Sequence, residues 1–142
     1  MSYDRAEWHY EGDYPEDLPS ENGGTHIGMF LAWIIINNLE GKVHQLTSQE
    51  SLEAVRNKTI TGREFLVKEC EDRLMKDDMN EQANAFTRFY YESDVYFSDY
   101  ASTLAKGLPS LYHVEDTWEN YERLEPVIMQ RFIKWQVSRS TG

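Results

Sequence analysis

Apolar side chains recur at helical spacing along most of the chain. The clearest stripe follows Thr25 and has the i, i+3, i+4, i+7 and i+8 spacing of one buried helical face. Its members are Ile27, Phe30, Leu31, Ile34 and Ile35. The pattern predicts a central core helix over about 26–39, capped by Thr25 and stopped near Gly41.

Two shorter helices are predicted to follow this central helix. Thr47 or Ser48 begins the first of them. Thr61, followed three residues later by Glu64, is a capping-box pattern that begins the second. A polar break over 76–78 separates these helices from the second half of the chain.

The second half is predicted to contain two long helical stretches. The first runs over about 80–105 and ends at Gly107. Asp116 or Thr117 caps the last helix, and Pro126 is expected to kink or break it, because proline lacks an amide donor and clashes with the preceding turn. The count is then about five helices.

The amino-terminal segment, residues 1–24, has prolines and glycines but no helical period. It nevertheless carries Trp8, Tyr10 and Tyr14, and disordered tails are poor in aromatic residues. We therefore expect an ordered, irregular arm packed on the helices. With no internal repeat or linker, residues 1–142 are predicted to form a single compact all-α domain.

Composition narrows the class of protein. The only cysteine is Cys70, so a disulfide framework within the chain is excluded. The longest apolar run, 27–36, is far shorter than the ~20 residues of a membrane helix. The amino-terminal residues lack a secretory pattern. We therefore expect a cytoplasmic protein that does not bind membranes.

The chain is strongly acidic, with a net charge of −11. Such a charge repels phosphate backbones, so direct nucleic-acid binding is not expected. The acids concentrate in residues 1–21, 69–81 and 115–125, whereas 54–68 is basic. Two interpretations stay open: the charge keeps the protein soluble, or it attracts a basic partner.

Catalytic and metal-binding patterns are weak. Acidic neighbours of Cys70 raise a thiol pKa and so disfavour a nucleophile. The four histidines lack zinc-ligand spacing, and the residues over 75–81 lack the alternating ligands of a calcium loop. We predict a non-enzyme without catalytic residues, metal or cofactor. One alternative is a small-ligand or catalytic site at the turn Gly23–His26, where helix amides could bind an anion.

Aromatic rings interleaved with carboxylates indicate function more clearly than the catalytic and metal-binding patterns do. Such clusters occur near residue 8, over 90–100 and over 115–121. Carboxylates steer a cationic protein and rings anchor it, although ordinary solvated helix faces also fit the pattern. The predicted partner-binding residues are Asp94, Asp99, Glu115, Asp116 and Glu119, with Tyr91, Tyr96 and Trp118 as anchors.

Four segments carry a resemblance to known proteins: residues 8–15, 17–33, 79–86 and 112–121. On these segments the chain resembles a family of small bacterial cytosolic proteins of unknown function. That family has no established catalytic residues, so the resemblance assigns none to this chain. Such proteins are similar to immunity proteins of bacterial toxin systems, including contact-dependent growth inhibition.

That similarity implies an immunity-type inhibitor that covers the active cleft of a basic toxin domain. We expect this toxin domain to be a ribonuclease. The alternatives are the ligand site or enzyme at Gly23–His26, or a scaffold or self-association module.

Overall fold

The computed structural model describes residues 2–141, and its helices account for 68% of the chain. The prediction of a mostly helical fold is confirmed, but the count of about five helices is wrong. Within the described residues there are eight α-helices. They are α1 Ala6–Tyr10, α2 Thr25–Ile36, α3 Lys42–Thr47, α4 Gln49–Arg56, α5 Gly62–Cys70, α6 Glu81–Tyr90, α7 Val95–Leu104 and α8 Trp118–Thr141.

The extra helices come from breaks that the apolar pattern does not show. The stretch over 80–105 divides at Asp94, which adopts a left-handed conformation with φ of 69°. Two further helices are α1, which forms in the arm, and α3, which precedes the predicted start at Thr47 or Ser48. Conversely, α8 continues through Pro126, so of the predicted kink or break the break does not occur, although the proline leaves one helical hydrogen bond unmade.

A small antiparallel sheet ties the amino terminus to the middle of the chain. Strand β1, Ser2–Arg5, pairs with β2, Arg73–Met75. The arm is therefore regular over its first residues, which corrects the prediction of an irregular segment. Its packing on the fold is as expected, since the Asn22 side chain donates a hydrogen bond to the carbonyl of Tyr112 over 2.9 Å.

Helix α2 lies at the centre, and all of its residues except Ile36 are buried. Aromatic rings from α6, α7 and α8 surround it. Phe30 lies 5.1 Å from Tyr96, and Trp33 lies 5.0 Å from Phe132, in edge-to-face arrangements. Large rings bury much apolar area each, so this aromatic layer contributes strongly to core stability.

The capping box at the start of α5 is present as predicted. Thr61 Oγ1 accepts a hydrogen bond from the Glu64 amide, and the Glu64 carboxylate accepts one from the Thr61 amide. The helix then crosses α2 at Gly28 and Gly62, where the two backbones touch. No helix in the described part of the chain has the length and apolar character needed to cross a membrane.

Five buried tyrosines make the fold sensitive to alkali. Burial is the main cause that raises their pKa above the ordinary value of about 10. The unfolded chain therefore loses phenolic protons at lower pH than the folded chain, and stability falls as pH rises above that value. The residues are Tyr90, Tyr91, Tyr96, Tyr100 and Tyr121.

We predict that alkaline titration unfolds the protein cooperatively, with phenolate absorbance and loss of helical circular dichroism changing in one transition. Tyrosines that all ionise near pH 10 while the helical signal stays constant would contradict this prediction.

Candidate functional site

Three of the eight predicted partner-binding residues are buried, so their expected surface position is wrong. The Tyr91 hydroxyl donates to Asp4, and the Tyr96 hydroxyl donates to the carbonyl of His26, each over 2.5 Å. Asp99 accepts hydrogen bonds from Arg131. These side chains stabilise the fold, because each one makes its hydrogen bonds within the protein.

Two other predicted residues already contact neighbouring side chains of the same protein. The Asp116 carboxylate accepts a hydrogen bond from Thr61 Oγ1 over 2.6 Å and lies 3.3 Å from Arg63 Nε. Trp118 is half-buried, with Lys58 Nζ 5.5 Å above its ring. The exposed members of the predicted set are Asp94, Glu115 and Glu119, and none of these three is aromatic.

Exposed aromatic rings occur instead on α1, together with carboxylates. Trp8 is 56% exposed and Tyr10 is 36% exposed. In this short helix Ala6 and His9 face inward and Trp8 projects away from them, whereas Tyr10, at i+4 from Ala6, lies beside the Gly23 turn with one side of its ring exposed. We call Trp8, Tyr10 and the exposed acids that follow them the α1 face. These acids are Glu11, Asp13, Glu16, Asp17 and Glu21.

The α1 face is anionic along the sequence, although Arg5, just before it, lies 5.7 Å from the Trp8 ring and pairs with Glu7. Residues 6–21 contain six carboxylates and no lysine or arginine. Partial desolvation, followed by the charges of Glu11 and Glu7, raises the pKa of the Tyr10 hydroxyl. The Tyr10 ring therefore lies within the field of the acids, and a cation approaching it meets an aromatic surface and negative charge together.

A buried network of polar side chains holds α1 in place. His9 Nε2 lies 2.8 Å from Asp4 Oδ1, and His9 Nδ1 lies 2.7 Å from the Tyr112 hydroxyl. The other carboxylate oxygen of Asp4 lies 3.1 Å from His26 Nε2. The network therefore joins α1 to α2 and to the segment before α8, and it fixes the outward direction of Trp8.

Electrostatics favour the charged form of Asp4. Burial opposes ionisation, but hydrogen bonds from His26 and His9 hold the pKa of the Asp4 carboxyl well below its usual range. Burial also lowers the pKa of His26, so the imidazole is held neutral. The result is a single buried carboxylate surrounded by donors.

The turn Gly23–His26, expected as an alternative ligand site, is filled by the protein itself. Gly23, Gly24, Thr25 and His26 are all buried. A Cβ at Gly23 would lie 3.1 Å from the carbonyl oxygen of Ala6, so the glycine lets α1 dock against this turn. This close packing leaves no room for a ligand beside Gly23.

Among residues 2–141, two groups of side chains could hold a metal ion, and sequence spacing revealed neither. One is Asp4, His9 and His26, and the other is His44, Cys70 and Asp78; within each group the donor atoms lie within 4.8 Å of one another. In the first group both Asp4 oxygens already accept two hydrogen bonds each, including one from the Arg5 amide and one from Tyr91. This saturation favours a structural role for the Asp4 group.

Comparison with known proteins identifies a family but no function. No curated protein and no solved structure matches the chain. Residues 2–114 match a family described as a domain of unknown function, DUF7832. The match includes the α1 face and both polar clusters, whereas Glu115, Asp116, Trp118 and Glu119 lie beyond it. Since the match covers most of the sequence, the chain belongs to the DUF7832 family.

Proposed function

We propose that this protein binds a cationic protein partner through the α1 face, as an immunity-type inhibitor of a basic toxin domain such as a ribonuclease. One observation carries the proposal: the rings of Trp8 and Tyr10 are exposed within a segment that has six carboxylates and no lysine or arginine. Bound to a nuclease, these carboxylates would take the places of substrate phosphates.

The energetics of protein interfaces support this assignment. Tryptophan and tyrosine are enriched among residues whose truncation costs binding about 2 kcal/mol or more. Carboxylates around such anchors mainly accelerate association with a basic surface and oppose acidic partners. The Asp4 network adds rigidity, so little conformational entropy is lost at α1 when a partner binds.

The family match is consistent with this position of the site. A function shared by the family depends on residues within the matched range, 2–114. The α1 face lies inside that range, whereas Glu115, Trp118 and Glu119 do not. We therefore place the interface on the arm and not on residues 115–119, and the expected class of partner stays the same.

The product of the adjacent gene is the first partner to test. We expect it to co-purify with this protein, to be toxic when expressed alone, and to lose its toxicity when the two are co-expressed. If the product does not co-purify and its toxicity is not rescued, the proposed function is refuted.

A matched pair of substitutions tests the anchor. Trp8→Ala is expected to weaken partner binding by at least ~30-fold, the equivalent of a 2 kcal/mol anchor. Phe89→Ala is the control, because Phe89 is also an aromatic residue exposed to 56% on a helix. Isothermal titration should show a large loss for the first variant and wild-type affinity for the second. Equal losses, or a loss only for Phe89→Ala, would place the interface elsewhere.

A further inference from the structure

A second polar cluster, remote in sequence from the α1 face, brings a thiol, an imidazole and a carboxylate together. His44 lies in α3, Cys70 ends α5, and Asp78 lies in a short 3-10 turn over Lys76–Asp78. All three side chains are buried. Zinc sites in proteins use these same donors, cysteine sulfur, histidine nitrogen and carboxylate oxygen.

The distances between the donor atoms agree with a tetrahedral zinc ion. Zinc bonds of about 2.3 Å to sulfur and about 2.0 Å to nitrogen and oxygen place such donors roughly 3.3–3.6 Å apart. Cys70 Sγ lies 3.7 Å from His44 Nε2 and 3.5 Å from Asp78 Oδ1. His44 Nε2 lies 2.8 Å from Asp78 Oδ1, so only this pair must separate slightly.

The same distances do not fit a catalytic triad. In a triad the imidazole uses one nitrogen for the nucleophile and the other for the acid. Here both Cys70 and Asp78 approach the same nitrogen, Nε2 of His44. Burial and the adjacent Asp78 carboxylate also raise the pKa of the Cys70 thiol, which opposes a free thiolate nucleophile.

Neighbouring groups orient the donors as outer-shell partners do in metal sites. The second oxygen of Asp78 accepts the Met75 amide over 2.7 Å, which leaves Oδ1 directed at the cluster. His44 Nδ1 lies 3.4 Å from Ser48 Oγ, so Nδ1 can carry the imidazole proton and leave Nε2 free. The Gly41 amide donates to the carbonyl of Asp78, which fixes α3 against the turn.

The cluster borders a surface depression of about 300 Å³. Carboxylates predominate around it, since Glu69, Glu71 and Asp77 line the depression with Arg73 as a basic residue. An anionic rim favours entry of a cation, and the depression gives access to a fourth ligand such as water. The Asp4 group is different, because hydrogen bonds already saturate its carboxylate.

We infer that Cys70 Sγ, His44 Nε2 and Asp78 Oδ1 bind one zinc ion, with a fourth position open to the depression. Binding deprotonates the thiol and releases that proton to solvent, while the imidazole proton resides on Nδ1. The inference is independent of the α1 face, and either one can fail without the other.

Cobalt substitution tests the site on the full chain. The protein, without an affinity tag, is treated with a chelator under reducing conditions and titrated with Co²⁺. We expect saturation at one ion per chain, a thiolate-to-cobalt charge-transfer band, the intense visible bands of tetrahedral cobalt, and displacement by Zn²⁺. The absence of these bands would overturn the inference and leave a hydrogen-bonded structural cluster.

Variants assign the signal to these residues. Cys70→Ser should abolish the charge-transfer band, and His44→Gln should weaken Zn²⁺ binding more than ~100-fold, since even outer-shell partners contribute 10 to 100-fold. His113→Gln and His9→Gln are controls that should leave the charge-transfer band and the affinity for Zn²⁺ unchanged. A band that survives Cys70→Ser, or is lost in His9→Gln, would contradict the site. Circular dichroism of each variant confirms that it is folded.

Discussion

Gly28→Ala is expected to destabilise the protein by about 2 kcal/mol, although alanine is the better helix former. A Cβ at this position of α2 would lie 2.5 Å from the Cα of Arg63 and 2.8 Å from the carbonyl carbon of Gly62. Helix propensity favours alanine by about 1 kcal/mol, whereas overpacking a rigid contact costs 1–3 kcal/mol or more. The contact dominates, because backbone atoms of α5 cannot rotate away.

Chemical denaturation measures this effect, with Gly12→Ala as the control. The nearest atom to a Cβ at Gly12 is the Trp8 carbonyl oxygen at 3.4 Å, an ordinary contact, so the control should change stability by less than about 0.5 kcal/mol. Wild-type or increased stability for Gly28→Ala would show that α2 and α5 do not cross at this distance.

Asp4→Asn is expected to lower the free energy of unfolding by about 3 kcal/mol. The Asp4 carboxylate receives hydrogen bonds from Tyr91 and the Arg5 amide and contacts both His9 and His26. Hydrogen bonds to a charged group contribute about 1.5–3 kcal/mol. Asparagine also replaces one acceptor oxygen by an NH2 group, which would face the donors that now bond to that oxygen. Because the same network orients α1, the variant should also weaken partner binding.

The control for this prediction is Asp94→Asn, the same chemical change at an exposed residue. Asparagine tolerates the left-handed conformation of Asp94, so stability should change by less than about 0.5 kcal/mol. Equal effects of the two substitutions would contradict a special role for Asp4.

The pH dependence gives a second check on Asp4. The folded pKa is lowered, so its contribution is complete above the ordinary carboxyl value of about 3.9 and is lost as pH falls through the folded pKa. The difference in stability between wild type and Asp4→Asn should therefore shrink in acid. A difference that stays constant down to the lowest accessible pH would contradict the charge-based account.

Local sequence signals predicted the elements that depend on neighbouring residues only. The stripe from Ile27 to Ile35 fixes α2, because a fully apolar helix can only be buried. Thr61 and Glu64 define the start of α5, because a capping box is satisfied within four residues. These signals do not depend on tertiary packing, which explains why they were reliable.

The position of the candidate site could not be predicted in the same way. Tyr91 and Tyr96 look like surface anchors beside acids, but both rings are buried, at the end of α6 and within α7, on either side of the left-handed residue Asp94. Conversely, α1 is too short to show a period, so the exposure of Trp8 follows only from the docking of Ala6 and His9.

Both polar clusters are also products of tertiary structure. Asp4, His9 and His26 meet because β1 and α1 fold back on the amino end of α2. His44, Cys70 and Asp78 are separated by 26 and 8 residues and lie on three different elements. No motif search detects such spacing, although the residue types themselves are typical metal ligands.

Amide hydrogen exchange of the full chain, alone and bound to its co-purified partner, tests the central claim most directly. We expect binding to protect residues 6–21, which include Trp8, Tyr10 and the acids of the α1 face, and to leave exchange in 115–125 unchanged. Protection confined to 94–99 or 115–125, with residues 6–21 exchanging as in the free protein, would contradict it.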